Sequence, residues 1–123
     1  MRRFIAACIL CCTLTPPASA ELTMAGRGQT LRFDSANFPE KMKASYETLR
    51  TRCAKCHTQE RIVISFMSSR MPVTGQEFDM NSVKTLAFRM YRKSMTRSDA
   101  IIHKDEMKNI HAVLRYMMEE SSR

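Results

Sequence analysis

Five consecutive residues, Cys53-Ala54-Lys55-Cys56-His57, carry the most specific chemistry in the chain. Two thiols three positions apart can each form a thioether to one vinyl group of a haem, and the imidazole that follows then lies under the iron as a neutral nitrogen ligand. Two other chemistries also use paired cysteines. A thioredoxin-like redox site needs a strand before the motif and a helix opening at it, whereas the residues before Cys53 have helical periodicity. Structural zinc needs two further ligands at matching spacing, and beyond residue 20 the chain has no other cysteine. The motif therefore predicts one haem per chain, held covalently by Cys53 and Cys56, with His57 as the proximal iron ligand.

The chain that must position this motif has 123 residues, enough for one domain and too few for a large multidomain enzyme. Its apolar fraction of 44% and charged fraction of 26% are those of an ordinary globular protein. Lysine and arginine number 20 against 12 acidic residues, a formal net charge of +8. The first 20 residues run from Arg2 and Arg3 through an uncharged, mostly apolar stretch, Phe4 to Leu14, to Pro16-Pro17 and Ala18-Ser19-Ala20. That order predicts a cleaved secretory signal over residues 1–20, a mature start near Glu21 and a periplasmic location, with no stable membrane span after cleavage. Ile5-Ala6-Ala7-Cys8 faintly resembles a lipoprotein cleavage box, but too little apolar sequence precedes Cys8 to favour a lipid-anchored form. Cys8, Cys11 and Cys12 leave with the signal, so Cys53 and Cys56 are the two cysteines that remain.

Residues 21–37 have little periodicity around Gly26 and Gly28 and predict an N-terminal arm whose order depends on docking, with Leu31 and Phe33 able to tuck against the domain. From Phe38 the pattern changes. Pro39 and Glu40 suit a helix start, and Phe38, Met42, Tyr46, Leu49 and Cys53 recur every three or four residues, an amphipathic helix leading directly into the motif. Ile62-Val63-Ile64 and Phe66-Met67 form an apolar segment of undetermined type, and Pro72 and Gly75 mark a loop placed to wrap one haem edge. Asn81 or Ser82 can cap a helix on which Val83, Leu86, Ala87, Met90 and Tyr91 share a face. After a polar stretch from Lys93 to Asp99, a last helix is expected from about Lys104 to Glu119, with Met107, Ile110, Leu114, Met117 and Met118 as its stripe. The fold class expected is all-α, a small helical domain.

This succession, with the motif at its first helix, resembles the monohaem class I cytochrome c family over residues 38–119. It is closest in pattern to a bacterial branch in which the chain ends as "V..rM..K…E…I..yL". The counterparts here are Leu86, Arg89-Met90 and Lys93, then Glu106, Ile110 and Leu114 to Met117. Many members carry a tryptophan shortly before the methionine-bearing helix; this chain has none, and Phe78 is the residue available for that space. The resemblance implies a domain wrapped around one haem and makes Met90 the distal iron ligand. Without it, each methionine on a helix stripe reads first as packing, Met107, Met117 and Met118 above all. Met95 in the polar connector is the runner-up, followed by Met80 and Met71. His103 and His111 are bis-histidine alternatives, His103 having the competing role of capping the last helix and His111 that of flanking its stripe.

The function expected is an exported electron carrier, not an enzyme, cycling one iron between two oxidation states and transforming no substrate. A haem subunit of a larger exported oxidoreductase is the alternative, as is a haem enzyme or small-ligand sensor with an open distal site. Burying a porphyrin face at about 25 cal/mol per Å² would supply core that so short a chain lacks, so the haem-free chain is expected to be poorly ordered. Pro72 is a candidate to offer its carbonyl to the free ring N–H of His57. Lys41, Lys43, Arg50, Arg52, Lys55 and Arg61, then Arg89, Arg92, Lys93 and Arg97, flank the motif and suit redox partners with an acidic docking surface. Nucleic acid is not an expected partner, because no aromatic and basic platform is evident.

Overall fold

In the computed structural model the described residues are 21–123; the signal expected over residues 1–20 lies outside them. They fold as four helices and one two-stranded sheet: β1 (Thr23–Ala25), β2 (Arg32–Asp34), α1 (Glu40–Cys53), α2 (Glu60–Ser68), α3 (Met80–Ser94) and α4 (Lys104–Ser121). The architecture is thus mostly helical, as the periodicity predicts. Among the described residues no helix is long and apolar enough to cross a membrane.

The segment expected to be an arm is an antiparallel hairpin that pairs Met24 with Phe33. A single 3₁₀ turn at Gly28–Thr30 closes it. Gly26 is required there, since its φ is +81° and a Cβ would lie 2.3 Å from the Thr30 carbonyl oxygen. Phe33 anchors the hairpin, buried and edge-on to Phe66 of α2 with ring centroids 5.6 Å apart.

Helix α1 buries the face its spacing marks, placing Tyr46, Leu49 and Cys53 in the core with Phe38 just before it. It packs chiefly on α4, whose Ile110, Val113, Leu114 and Met117 are buried. The apolar run at 62–67 is helical, with Val63 and Phe66 inward. Two helix boundaries differ from expectation. Asp79, rather than Asn81 or Ser82, caps α3 by accepting the Ser82 N–H at 2.8 Å, and α4 runs two residues past Glu119.

Two polar ties lock these elements. The Tyr46 hydroxyl donates to Gln59 Oε1 at 2.8 Å and accepts the Phe33 N–H at 2.9 Å, joining α1, the start of α2 and the hairpin inside the core. The Glu106 carboxylate accepts from Arg52 Nε at 2.8 Å and from the His103 N–H at 2.9 Å, joining the end of α1 to the start of α4. Partial burial works to raise the Glu106 pKa, but the His103 N–H and the Arg52 guanidinium outweigh it and hold the carboxyl below its usual value.

Tyr46→Phe leaves the Phe33 N–H and Gln59 without a buried partner and should cost about 1–3 kcal/mol in urea unfolding, with an unchanged slope. Glu106→Gln should cost about 1 kcal/mol at neutral pH, a modest figure because water still reaches a quarter of the carboxylate side chain. Because the folded carboxyl is the stronger acid, that contribution is complete above the ordinary glutamate range near about 4.3 and is lost as pH falls through the lowered folded value. Melting temperatures of the two proteins should therefore converge in acid; a gap that stays constant to pH 3 would contradict the assignment.

Candidate haem-binding cleft

The motif begins where α1 ends. Cys53 is the last residue of the helix, and the chain then turns tightly, with the Cys56 and His57 N–H groups both donating to the Cys53 carbonyl at 3.2 and 3.3 Å. That turn gives the two thiols opposite surroundings. Cys53 is buried, and burial, with Cys56 adding, pushes its thiol up to about 11. Cys56 is exposed, with the Arg97 guanidinium 3.6 Å from its Sγ.

His57 Nδ1 lies 2.9 Å from the Thr58 carbonyl oxygen. A carbonyl oxygen only accepts, so Nδ1 carries the proton and Nε2 keeps the lone pair that a metal would take. The partner is thus Thr58, not Pro72, because a carbonyl one residue away is within reach without any long-range fold. Pro72 instead lines the cleft.

Two cavities lie at this point, of about 220 and about 80 Å³, and His57 and Met90 line both. The larger one is walled by side chains of α2, α3, α4 and the loop between α2 and α3, among them Ile62, Met71, Phe78, Val83, Leu86 and Leu114. Arg61 and Ser65 are its polar members beside His57. The smaller one is walled by Cys53, Cys56, Ala100 and Ile102, with Arg52 and Lys93 also on it. Phe78, buried edge-on to Phe66 with centroids 5.0 Å apart, stands in the wall of the larger cavity.

The other candidate ligands fall elsewhere. Met95 caps the end of α3 with 57% of its surface exposed and lines neither cavity. Met80, Met107 and Met118 pack partly buried against the core, and Met117 is fully buried in it. His103 is exposed at the N-cap of α4, and His111 lines a separate groove between α3 and α4. Met71, the last of the methionine alternatives, shares the larger cavity with His57 and Met90. Its signal in the sequence was position, one residue before Pro72 in the loop that closes the cleft.

The residue types are those a haem would need: Cys53, Cys56, His57 with a free Nε2 and Met90 line the smaller cavity, and Met71 lines the larger one with His57 and Met90. No group of three or more histidine, cysteine, aspartate or glutamate side chains suited to a bare metal ion occurs among the described residues. Comparison of the chain with family models, with curated proteins and with solved structures found no match.

In chain made without haem attachment, iodoacetamide at pH 8 should label both thiols at similar rates if that chain is poorly ordered as expected, whereas a chain that keeps this fold should be labelled at Cys56 at least about tenfold faster than at Cys53, because one thiol is exposed and the other is buried with a raised pKa. Mass mapping of the two sites checks this, and equal rates in a chain that keeps the fold would contradict the inequivalence.

Proposed function

We propose that the chain is an exported monohaem c-type cytochrome that passes single electrons between redox proteins. The observation that carries this reading is the convergence of Cys53, Cys56, His57 and Met90 on one small apolar cavity, with His57 and Met90 also lining the larger one. The resemblance of residues 38–119 to class I cytochromes c, and the secretory pattern of residues 1–20, support it.

Haem bound there would supply one-electron redox chemistry. Cys53 and Cys56 would hold it by thioethers, so that it stays in place when the domain opens transiently. The Nδ1–H bond to Thr58 fixes the His57 tautomer and leaves Nε2 for iron. Ile62, Val83, Leu86 and Leu114 keep water from the cleft, which favours the less charged ferrous state. Met90 is the distal ligand in this reading, with Met71 its rival, since both line the cavity that His57 lines. Arg61 and Lys93 reach the two cavities from outside and give the cleft a basic edge suited to acidic redox partners.

The exported protein should have a mass greater than its polypeptide by one haem, and its oxidised spectrum should show the weak far-red band of methionine–iron ligation. Met90→Ala should abolish that band while leaving the mass increment intact. Survival of the band in Met90→Ala and its loss in Met71→Ala would transfer the role to Met71. An unmodified polypeptide, recovered from cells that attach haem to other proteins, would end the cytochrome reading.

A further inference from the structure

On the other flank of α3 a groove of about 520 Å³ runs between α3 and α4. We propose that this groove docks an acidic, amphipathic segment of a partner protein. Its floor is apolar, made by Ala87 and Tyr91 of α3 and Met107 of α4. Phe88 stands beside the floor with 61% of its surface exposed, and the Arg92 guanidinium lies 5.8 Å from its ring centroid. Around these, Lys84, Lys104 and Lys108 supply three positive charges and His111 a further polar group.

Asp105 is the acid paired with this rim, at 3.7 Å from Lys108 Nζ, and both side chains are largely exposed. That carboxylate offsets one charge of the rim, and Lys84 and Lys104 leave it net positive. An exposed aromatic ring beside an apolar floor, inside a ring of lysines, matches a helix or strand that presents acidic residues around an apolar anchor. A second copy of the chain does not suit the site, because its own formal charge is +8, and +6 once Arg2 and Arg3 leave with the expected signal.

The groove is separate from the cleft. Val83, Leu86 and Met90 line the cleft, whereas Lys84, Ala87, Phe88 and Tyr91 line the groove, so the two sites use different faces of α3. The docking inference therefore does not rest on the haem reading.

The test uses the protein as it accumulates in cells and a fluorescein-labelled helical peptide with a glutamate-rich face and a leucine and phenylalanine stripe. At low ionic strength the peptide should bind, and a scrambled peptide of the same composition should bind at least about tenfold more weakly. Phe88→Ala, and Lys84→Glu with Lys108→Glu, should each weaken binding at least about tenfold with an unchanged circular dichroism spectrum. The charge control Arg27→Glu, in the turn between β1 and β2, should stay within about twofold of the parent. Equal affinity for the two peptides, equal loss in the control, or Phe88-dependent binding to phosphatidylglycerol vesicles in place of the peptide would each overturn the proposal. No readout involves haem, so its failure is distinct from failure of the cytochrome reading.

Discussion

The crossing of α1 on α4 is the constraint from which the rest follows. Leu49 on one helix and Ile110, Val113, Leu114 and Met117 on the other are at most 4% exposed, and each fully buried side chain of this kind contributes about 1.5–3 kcal/mol. Because Cys53 closes α1, that packing also decides where the turn from Cys53 to His57 is delivered. Were α1 to slide by one turn along α4, the turn would move by about 5.4 Å and leave the cleft. The Arg52–Glu106 pair sits one residue before Cys53 and opposes such a slide, since it fastens the end of α1 to the first turn of α4.

Side-chain volume alone would not set the angle of the hairpin or of α2 against this pair. A hydrophobic contact is non-directional, whereas the Tyr46 hydroxyl has one donor and accepts along defined directions. By meeting Gln59 and the Phe33 N–H together, it fixes the residue before α2 and the second strand to the same point on α1. Ser94 does the equivalent at the far end of α3. Its Oγ donates to the Tyr91 carbonyl and accepts the Ile102 N–H, so the connector carrying Ala100 and Ile102 is held against the smaller cavity. Directional bonds thus register elements that apolar packing merely brings together.

What could be read from the sequence follows the same division. Long stripes were legible: Phe38 to Cys53 and Met107 to Met118 have enough repeats for a 3.6-residue period to stand out, and both segments are helices with those residues inward. The nine residues of α2 span too few turns for period to separate helix from buried strand. The hairpin was hidden because its strands have three residues each and Phe33 alone of them is buried. Within the site, the Cys-x-x-Cys-His spacing was legible because the chemistry is local in sequence. The placing of Met71, Arg61 and Ser65 against His57 was not, since it depends on how α2 and the following loop fold back over the turn. The Thr58 carbonyl carries no sequence signal for the opposite reason: every residue offers such an acceptor to its neighbour, so nothing in the residue type marks this one.

The single stripe expected on α3 is the most instructive difference. Residues advance by about 100° along a helix, so Val83, Leu86 and Met90 point one way while Ala87 and Tyr91 lie well around the surface. A stripe that broad is wider than one contact requires, and α3 uses its two halves differently: one walls the cleft and the other floors the groove. A rotation of α3 about its axis would therefore disturb both at once, withdrawing Met90 from His57 as it carried Tyr91 out of the groove. Asp79 at the start of α3 and Ser94 at its end resist that rotation by fixing the chain at each terminus. The same two bonds that define the limits of the helix hence keep its two faces aimed, which is a reason for a short polar cap and a buried serine at positions where apolar packing has little to hold.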